Sequence, residues 1–237
     1  MTEQRIEGLT DRLERVRERI ARAAERGGRD PDRVEVLPVT KGHPASLVRA
    51  VAEAGLGRVG ENRVQEAEEK RALWGDLGLE WHMIGHLQRN KARRAVKLFD
   101  VIESVDTVRL ARRLSREAED LGRRELPVLV QVNAAGERQK SGFALEALEG
   151  GLAEICDLPR LRVIGLMTMA PLTPDEAILR RTFRETRRLF EEVAPAVSGF
   201  EPRVLSMGMS NDFEIAVEEG STRLRLGTSL FGERPGQ

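Results

Sequence analysis

Residues 127–133, PVLVQVN, and residues 161–169, LRVIGLMTM, are the two stretches that decide the fold. Both are short runs rich in Val, Leu and Ile, the composition of strands that are buried on both faces of a parallel sheet. Between them, ALEALEGGLAEICDL (144–158) has the length and the apolar spacing of a helix. A strand, a helix and a second strand in this order predict a parallel β/α unit.

The same alternation continues on both sides of this unit. Eight short apolar runs predict eight strands, and each is followed by a predicted helix or by the last residues of the sequence. These runs are residues 34–41, 58–62, 81–85, 99–105, 127–133, 161–169, 203–208 and 222–227. Eight such units in 237 residues predict the α/β class and a single parallel (β/α)8 barrel of the TIM type. A doubly wound open sheet is the alternative.

An extra N-terminal helix is predicted before the first strand. Apolar residues recur every three or four positions from Ile6 to Ile20, which places them on one face of a helix. We expect this helix within residues 1–28 and the barrel within residues 33–232. With no linker or internal repeat in the sequence, residues 1–237 are expected to form one domain.

Composition narrows the class of protein. The 39 basic and 39 acidic residues cancel, whereas a dedicated nucleic-acid binder usually has a basic excess. The sequence has no apolar run of about 20 residues and no secretory signal, so we expect no membrane span. A single cysteine fits a cytoplasmic protein. Three histidines without a zinc-binding motif predict no metal site.

Lys41 is the first candidate functional residue, because functional groups in a barrel gather where strands end and the following loops begin. Lys41 ends the first predicted strand. Desolvation there would favour the neutral amine, which can attack an aldehyde and form an imine. Lysine occurs at only five positions, and the other basic residues are arginines, which stay protonated. A solvated loop lysine is the alternative.

Two further stretches have the character of an anion site. SMGMSNDFE (206–214) places small residues and the Ser210 hydroxyl before a predicted helix, whose first N–H groups can bind an anion. An ordinary helix cap is the alternative there. Gly227 and Thr228 follow the last predicted strand, where barrels of this type often bind a phosphate group.

Six blocks together resemble a known family. In order they resemble segments of the pyridoxal 5′-phosphate (PLP) homeostasis protein family, over about residues 5–232. The blocks are VTKGHP (39–44), GENRVQE (60–66), WHMIGHLQRNK (81–91), VNAAGERQKSGF (132–143), GLMTMAP (165–171) and LSMGMSNDFEIAVEEGSTRLRLGTSLFG (205–232). The resemblance implies a barrel related to the N-terminal domain of alanine racemase, with PLP bound through a lysine.

The resemblance also assigns roles by position. Lys41 matches the lysine that forms the imine, and Arg225 matches the arginine that faces the pyridine nitrogen. The other matching positions are Asn62 in the pocket lining, Ser206, Met207 and Gly208 beside the ring, and Ser210, Gly227 and Thr228 around the phosphate. Gly42-His43 departs from the family pattern, in which a threonine and a polar or basic residue are expected, so a hydroxyl contribution from position 42 is absent.

The same residues favour a carrier over an enzyme. A guanidinium is only a donor, so Arg225 would keep the pyridine nitrogen unprotonated and make PLP a weaker electron sink. Alanine racemases use a tyrosine as their second acid/base group, and this sequence contains none. We therefore expect a PLP-binding protein that stores, buffers or delivers the cofactor with negligible catalysis. The alternatives are a low-activity amino-acid racemase and an RNA- or protein-binding barrel, which the basic segment 86–97 would support.

The expected partners follow from this hypothesis. They are PLP itself and PLP-dependent apo-enzymes that would receive it. With about 4% aromatic residues, the chain lacks the composition of an extended aromatic-rich interface, so we expect a monomer.

Overall fold

The computed structural model describes residues 8–74, 77–137 and 140–233, and eight parallel strands form one sheet within them. The strands are β1 (Glu35–Pro38), β2 (Arg58–Glu61), β3 (Glu80–Met83), β4 (Val101–Val105), β5 (Leu126–Val132), β6 (Leu161–Thr168), β7 (Phe200–Met209) and β8 (Arg223–Leu226). They match the eight predicted runs, and the predicted fold class is confirmed.

The sheet closes into a barrel. Its order is β1-β8-β7-β6-β5-β4-β3-β2, so β1 and β2 lie at the two ends of the ladder. A parallel bridge between Val39 and Gly60 joins them, and the Thr40 N–H donates to the Gly60 carbonyl at 3.2 Å. The alternative of an open doubly wound sheet is therefore wrong.

Nine α-helices within the described residues connect the strands or flank them. They are α1 (Leu9–Arg26), α2 (Ser46–Glu53), α3 (Val64–Trp74), α4 (Ala92–Leu98), α5 (Val108–Asp120), α6 (Leu148–Cys156), α7 (Glu176–Arg188), α8 (Phe213–Glu218) and α9 (Thr228–Phe231). None of these helices has the length and apolar character needed to cross a membrane.

Strand β5 shows why the apolar runs belong in this fold. Val128, Leu129 and Val130 are all fully buried, because a barrel strand is covered on both faces. Val128 and Val130 join the large core between sheet and helices, whereas Leu129 belongs to a separate small cluster with Ile164 and other strand residues. This alternation follows from the two-residue period of a strand.

The predicted N-terminal helix is present as α1, although its proposed start at residues 1–7 lies outside the described residues. Its apolar face, which includes Leu13 and Val16, is buried. Helix α1 packs beside α8 and α9, and the Arg19 guanidinium donates to both carboxylate oxygens of Glu214, at 3.2 and 3.1 Å.

Gly165 on β6 generates a stability prediction. A Cβ atom there would lie 1.8 Å from the Val204 carbonyl oxygen on β7, so Gly165→Ala must force the two strands apart. We expect this variant to lose about 3 kcal/mol or more of unfolding free energy in urea titrations. Gly150→Ala is the matched control, because Gly150 lies in α6 with open space around it. The unfolding free energy of this control should rise by about 0.5–1 kcal/mol, because alanine favours a helix more than glycine does. Equal loss in both variants would contradict the prediction.

Candidate functional site

A cavity of about 340 Å³ opens at the carboxyl ends of the strands. This is the size of a small-ligand site and the end of the barrel where parallel β/α barrels bind ligands. Six of the nine predicted site residues line it, namely Lys41, Asn62, Ser210, Arg225, Gly227 and Thr228. The lining does not include Ser206, Met207 or Gly208.

The sequence predicted Lys41 as the last residue of the first strand. In the structure Lys41 lies instead in a turn after β1. Strand β1 ends at Pro38, and the Thr40 carbonyl accepts the His43 N–H at 3.0 Å. Gly42 occupies a φ of 69°, which suits glycine at the third position of a tight turn. Lys41 is therefore the second residue of a tight turn at the rim of the barrel, and its side chain is half-buried. The departure from the family pattern at Gly42 suits the positive φ of that position.

Arg225 is the buried cation of the cavity wall. Its guanidinium donates to the Ser206 hydroxyl at 2.8 Å and to the Thr168 carbonyl at 2.7 Å. Burial lowers the pKa of Arg225, and the nearby charges of Glu103 and Asp212 oppose this effect. Since a guanidinium has five N–H donors and no acceptor, Arg225 can offer only hydrogen-bond donation to a ligand.

Ser206 does not line the cavity but binds Arg225 from inside the barrel. Its hydroxyl donates to Glu103 at 2.6 Å while it accepts from Arg225. Glu103 also contacts His82 Nδ1 at 2.8 Å and Arg223 at 3.1 Å, all inside the barrel. The resemblance placed Ser206 beside the ring; in the structure its hydroxyl orients Arg225.

The charges inside the barrel support one another. Burial favours neutral Glu103, but the hydrogen bond from His82 and the charge of Arg223 hold the pKa of Glu103 well below its ordinary value. Burial also disfavours charged His82, but its contacts with Glu103 and Glu80 raise the pKa of His82 above its ordinary value. Sequence reasoning missed Glu103, although a carboxylate within the apolar run FDVIESV was the available signal.

Met207 and Gly208 lie on β7 and contribute to its packing against the surrounding helices. The Met207 side chain is fully buried in the core between sheet and helices. At Gly208, where φ is 95°, a Cβ atom would lie 2.6 Å from the Ala216 Cβ on α8. These two residues let β7 and α8 pack closely, and the next residues of the chain then reach the cavity.

Ser210, Gly227 and Thr228 form one polar edge of the cavity. The Ser210 hydroxyl accepts the Ser229 N–H at 3.1 Å, which joins the loop after β7 to the first turn of α9, the helix that follows β8. The segments after β7 and β8 therefore meet at the cavity.

Asp212 is a lining residue that sequence reasoning did not propose for the site. Its carboxylate accepts the Met209 N–H at 2.5 Å. Burial raises the pKa of Asp212 above its ordinary value, against the opposite effects of that hydrogen bond and of Arg225. His43 and His86 also line the cavity, and His86 Nδ1 contacts Asp106 at 2.9 Å.

Comparisons with known proteins identify relatives of this chain. The family described as "Alanine racemase, N-terminal domain" matches residues 12–235. A pyridoxal phosphate homeostasis protein of Pseudomonas aeruginosa is 41% identical over 226 residues, which are 95% of this chain and 96% of that protein. The chain belongs to the pyridoxal phosphate homeostasis protein family. The predicted family resemblance is thus confirmed.

Solved structures agree with membership of the homeostasis family. PipY of Synechococcus elongatus, in a structure with PLP bound, has a TM-score of 0.83 at 38% identity and covers 94% of this chain and 100% of its own. An alanine racemase of Clostridium difficile has a TM-score of 0.73 at 15% identity and covers 86% of this chain and 56% of its own, which shows a shared fold alone.

The ionised Glu103 should make the unfolding free energy of this homeostasis-family protein depend on pH in the acid range. The folded-state pKa of Glu103 is depressed, so its stabilisation is present above the unfolded pKa of about 4.3 and is lost as pH falls towards the folded pKa. At pH 7, Glu103→Gln should lose about 3 kcal/mol or more of unfolding free energy, because the buried Arg223 keeps its charge but loses this carboxylate partner. The deficit should shrink below about pH 4.

Urea titrations between pH 3 and pH 7 measure this deficit. Glu154→Gln is the control, since Glu154 forms an exposed pair with Arg112 and such pairs contribute little. A Glu103→Gln deficit that is the same at all pH values would refute the assigned ionisation.

Proposed function

We propose that this chain binds PLP through an imine between the Lys41 Nζ and the aldehyde of the cofactor, and that it stores, buffers or delivers PLP. The observation that supports this most is the placement of Lys41 in the same cavity as the polar edge of Ser210, Gly227 and Thr228. An amine and an anion site within one small cavity suit a ligand that carries both an aldehyde and a phosphate group.

The remaining lining residues fit the same ligand. Arg225 offers donors only, which suits an unprotonated pyridine nitrogen. Asn62 follows β2 and contributes an amide to the wall beside Lys41. PLP supplies a reactive aldehyde and, in enzymes, an electron sink, whose strength depends on the partner of its ring nitrogen. The PLP-bound structure of the related PipY supports this assignment of the ligand.

The protein acts on PLP availability and not as an efficient catalyst. A donor at the pyridine nitrogen weakens the electron sink, and the chain has no tyrosine for a two-base racemase mechanism. The related proteins are named pyridoxal phosphate homeostasis proteins, and not after a reaction. Low-activity racemisation is the alternative, and His86 in the cavity, with Asp106 on its Nδ1, is the group that would serve as the second acid/base.

The proposal extends to partners and organisation. We place the protein in the cytoplasm, with PLP-dependent apo-enzymes as recipients and without dedicated nucleic-acid binding. Leu73 and Leu172 are the exposed large hydrophobic side chains of the described residues, which supports a monomer. Residues 1–237 act as one unit in this proposal, with the barrel at 33–232 as the binding element.

Lys41→Ala tests the covalent site. Wild-type protein should show imine absorbance with PLP, and borohydride reduction should leave a pyridoxyl mass on the peptide that contains Lys41. Lys41→Ala should lose both signals while its unfolding free energy changes by less than about 0.5 kcal/mol, because the side chain is partly exposed. Lys97→Ala, an exposed helix lysine, is the control and should behave as wild type.

Three outcomes would contradict parts of the proposal. Full imine absorbance in Lys41→Ala would reject the assigned lysine. Robust racemisation of a panel of L-amino acids by wild-type protein would favour the enzyme alternative. Wild-type protein that takes up no PLP would reject the ligand and favour a binding barrel of another kind.

A further inference from the structure

We propose that Lys70 is a positioning residue for Lys41: with Glu66 it holds the two peptide groups on either side of Lys41 and thereby sets where the Lys41 side chain begins. This inference rests on the proposed function, because it concerns the lysine to which PLP would be bound.

Lys70 is buried where a helix would ordinarily place an apolar residue. Val64, Ala67 and Lys70 are spaced three apart on α3 and are the buried residues of that helix. The Lys70 side chain is only 5% exposed. Moving an ammonium group out of water costs several kcal/mol unless partners replace the water, so its contacts determine its effect on the structure.

The Lys70 ammonium has three good acceptors. Its Nζ lies 2.6 Å from the Thr40 carbonyl oxygen, 2.6 Å from Glu61 Oε1 and 2.7 Å from Glu66 Oε1. An ammonium carries three N–H donors, so each donor has one acceptor here. An ammonium group whose three donors are all used has one low-energy orientation. Its hydrogen bonds therefore restrict the positions of the three acceptor oxygens as well.

Lys70 and its partner Glu66 each bind one of the two peptide groups that flank Lys41. The Thr40 carbonyl belongs to the peptide bond that enters Lys41, and it accepts from Lys70. The Gly42 N–H belongs to the peptide bond that leaves Lys41, and it donates to Glu66 Oε1 at 2.6 Å. Since a peptide unit is planar, fixing both units fixes the direction of the Lys41 Cα–Cβ bond.

Glu61 connects this ion pair to the neighbouring strand. It is fully buried at the end of β2 and accepts from both Lys70 and the Thr40 hydroxyl. Asn62, the next residue, lines the cavity. The cluster of Thr40, Glu61, Glu66 and Lys70 therefore joins the end of β1 to the end of β2, beside the single Val39–Gly60 bridge.

Glu66 gives the sharpest test, because its side chain is partly exposed and its replacement leaves no isolated charge buried. Glu66→Leu removes the acceptor for Gly42 and Lys70, whereas Glu66→Gln keeps an acceptor oxygen of the same reach. The rate of imine formation is followed by absorbance after mixing with PLP. We expect Glu66→Leu to slow it about tenfold, and Glu66→Gln to stay within about twofold of wild type.

Lys70→Met tests the other half of the pair and is expected to slow imine formation to a similar extent. Lys97→Met, in an exposed position, is its control. Inorganic phosphate should compete with PLP to the same extent for every variant and for wild type, because Ser210, Gly227 and Thr228 follow other strands than Lys41 and Glu66. A general loss of folding would change both measurements, whereas loss of positioning changes only the imine rate.

The results separate this inference from the proposed function. If wild-type protein forms no imine on Lys41, the proposed function fails and this inference fails with it. If wild type forms the imine and Glu66→Leu matches its rate, this inference alone is overturned. It is also overturned if Glu66→Gln is as slow as Glu66→Leu. The Glu66 variants decide the question even if Lys70→Met does not fold.

Discussion

The seam between β1 and β2 is the constraint on which the cavity depends. Strand β1 pairs with β8 through four residue pairs, but it meets β2 through one bridge between Val39 and Gly60. The buried polar contacts around Lys70 lie at this same seam and tie the two strand ends together. Strand β1 lies next to β8, so the turn that carries Lys41 meets the segments after β7 and β8, and closure onto β2 adds Asn62 to the same cavity. The shape of the cavity thus depends on barrel closure.

The inside of the barrel combines apolar packing with a buried set of charges. Glu103 links His82, Arg223 and Ser206, and Ser206 in turn receives a hydrogen bond from Arg225. A buried cation is costly without partners, and this network is what allows Arg225 to remain in the cavity wall. In the proposed function this arginine would face the ring nitrogen of PLP, to which a guanidinium can only donate a hydrogen bond. Such a partner would leave the nitrogen unprotonated and the cofactor a weak electron sink.

Family membership and fold carry different weight for this protein. The homeostasis proteins share between 33% and 41% of their residues with this chain over nearly its whole length, and the related PipY has been solved with PLP bound. The alanine racemase similarity, at 15% identity, extends only to the arrangement of strands and helices. That similarity therefore concerns the fold alone, and the function of this chain has to be argued from the residues that line its cavity.

The order of strands and helices could be predicted from the sequence, because the two-residue and 3.6-residue apolar periods are local properties of the chain. Lys41, Ser210, Arg225, Gly227 and Thr228 could be proposed as well, since strand ends of a barrel converge on one face and the family blocks mark them. The tertiary structure alone decided that Ser206 orients Arg225, that Met207 packs outside the barrel, and that Lys70 reaches back to the turn around Lys41. Those contacts join residues 19 or more positions apart, or depend on which face of a strand a side chain occupies, and no local pattern encodes either.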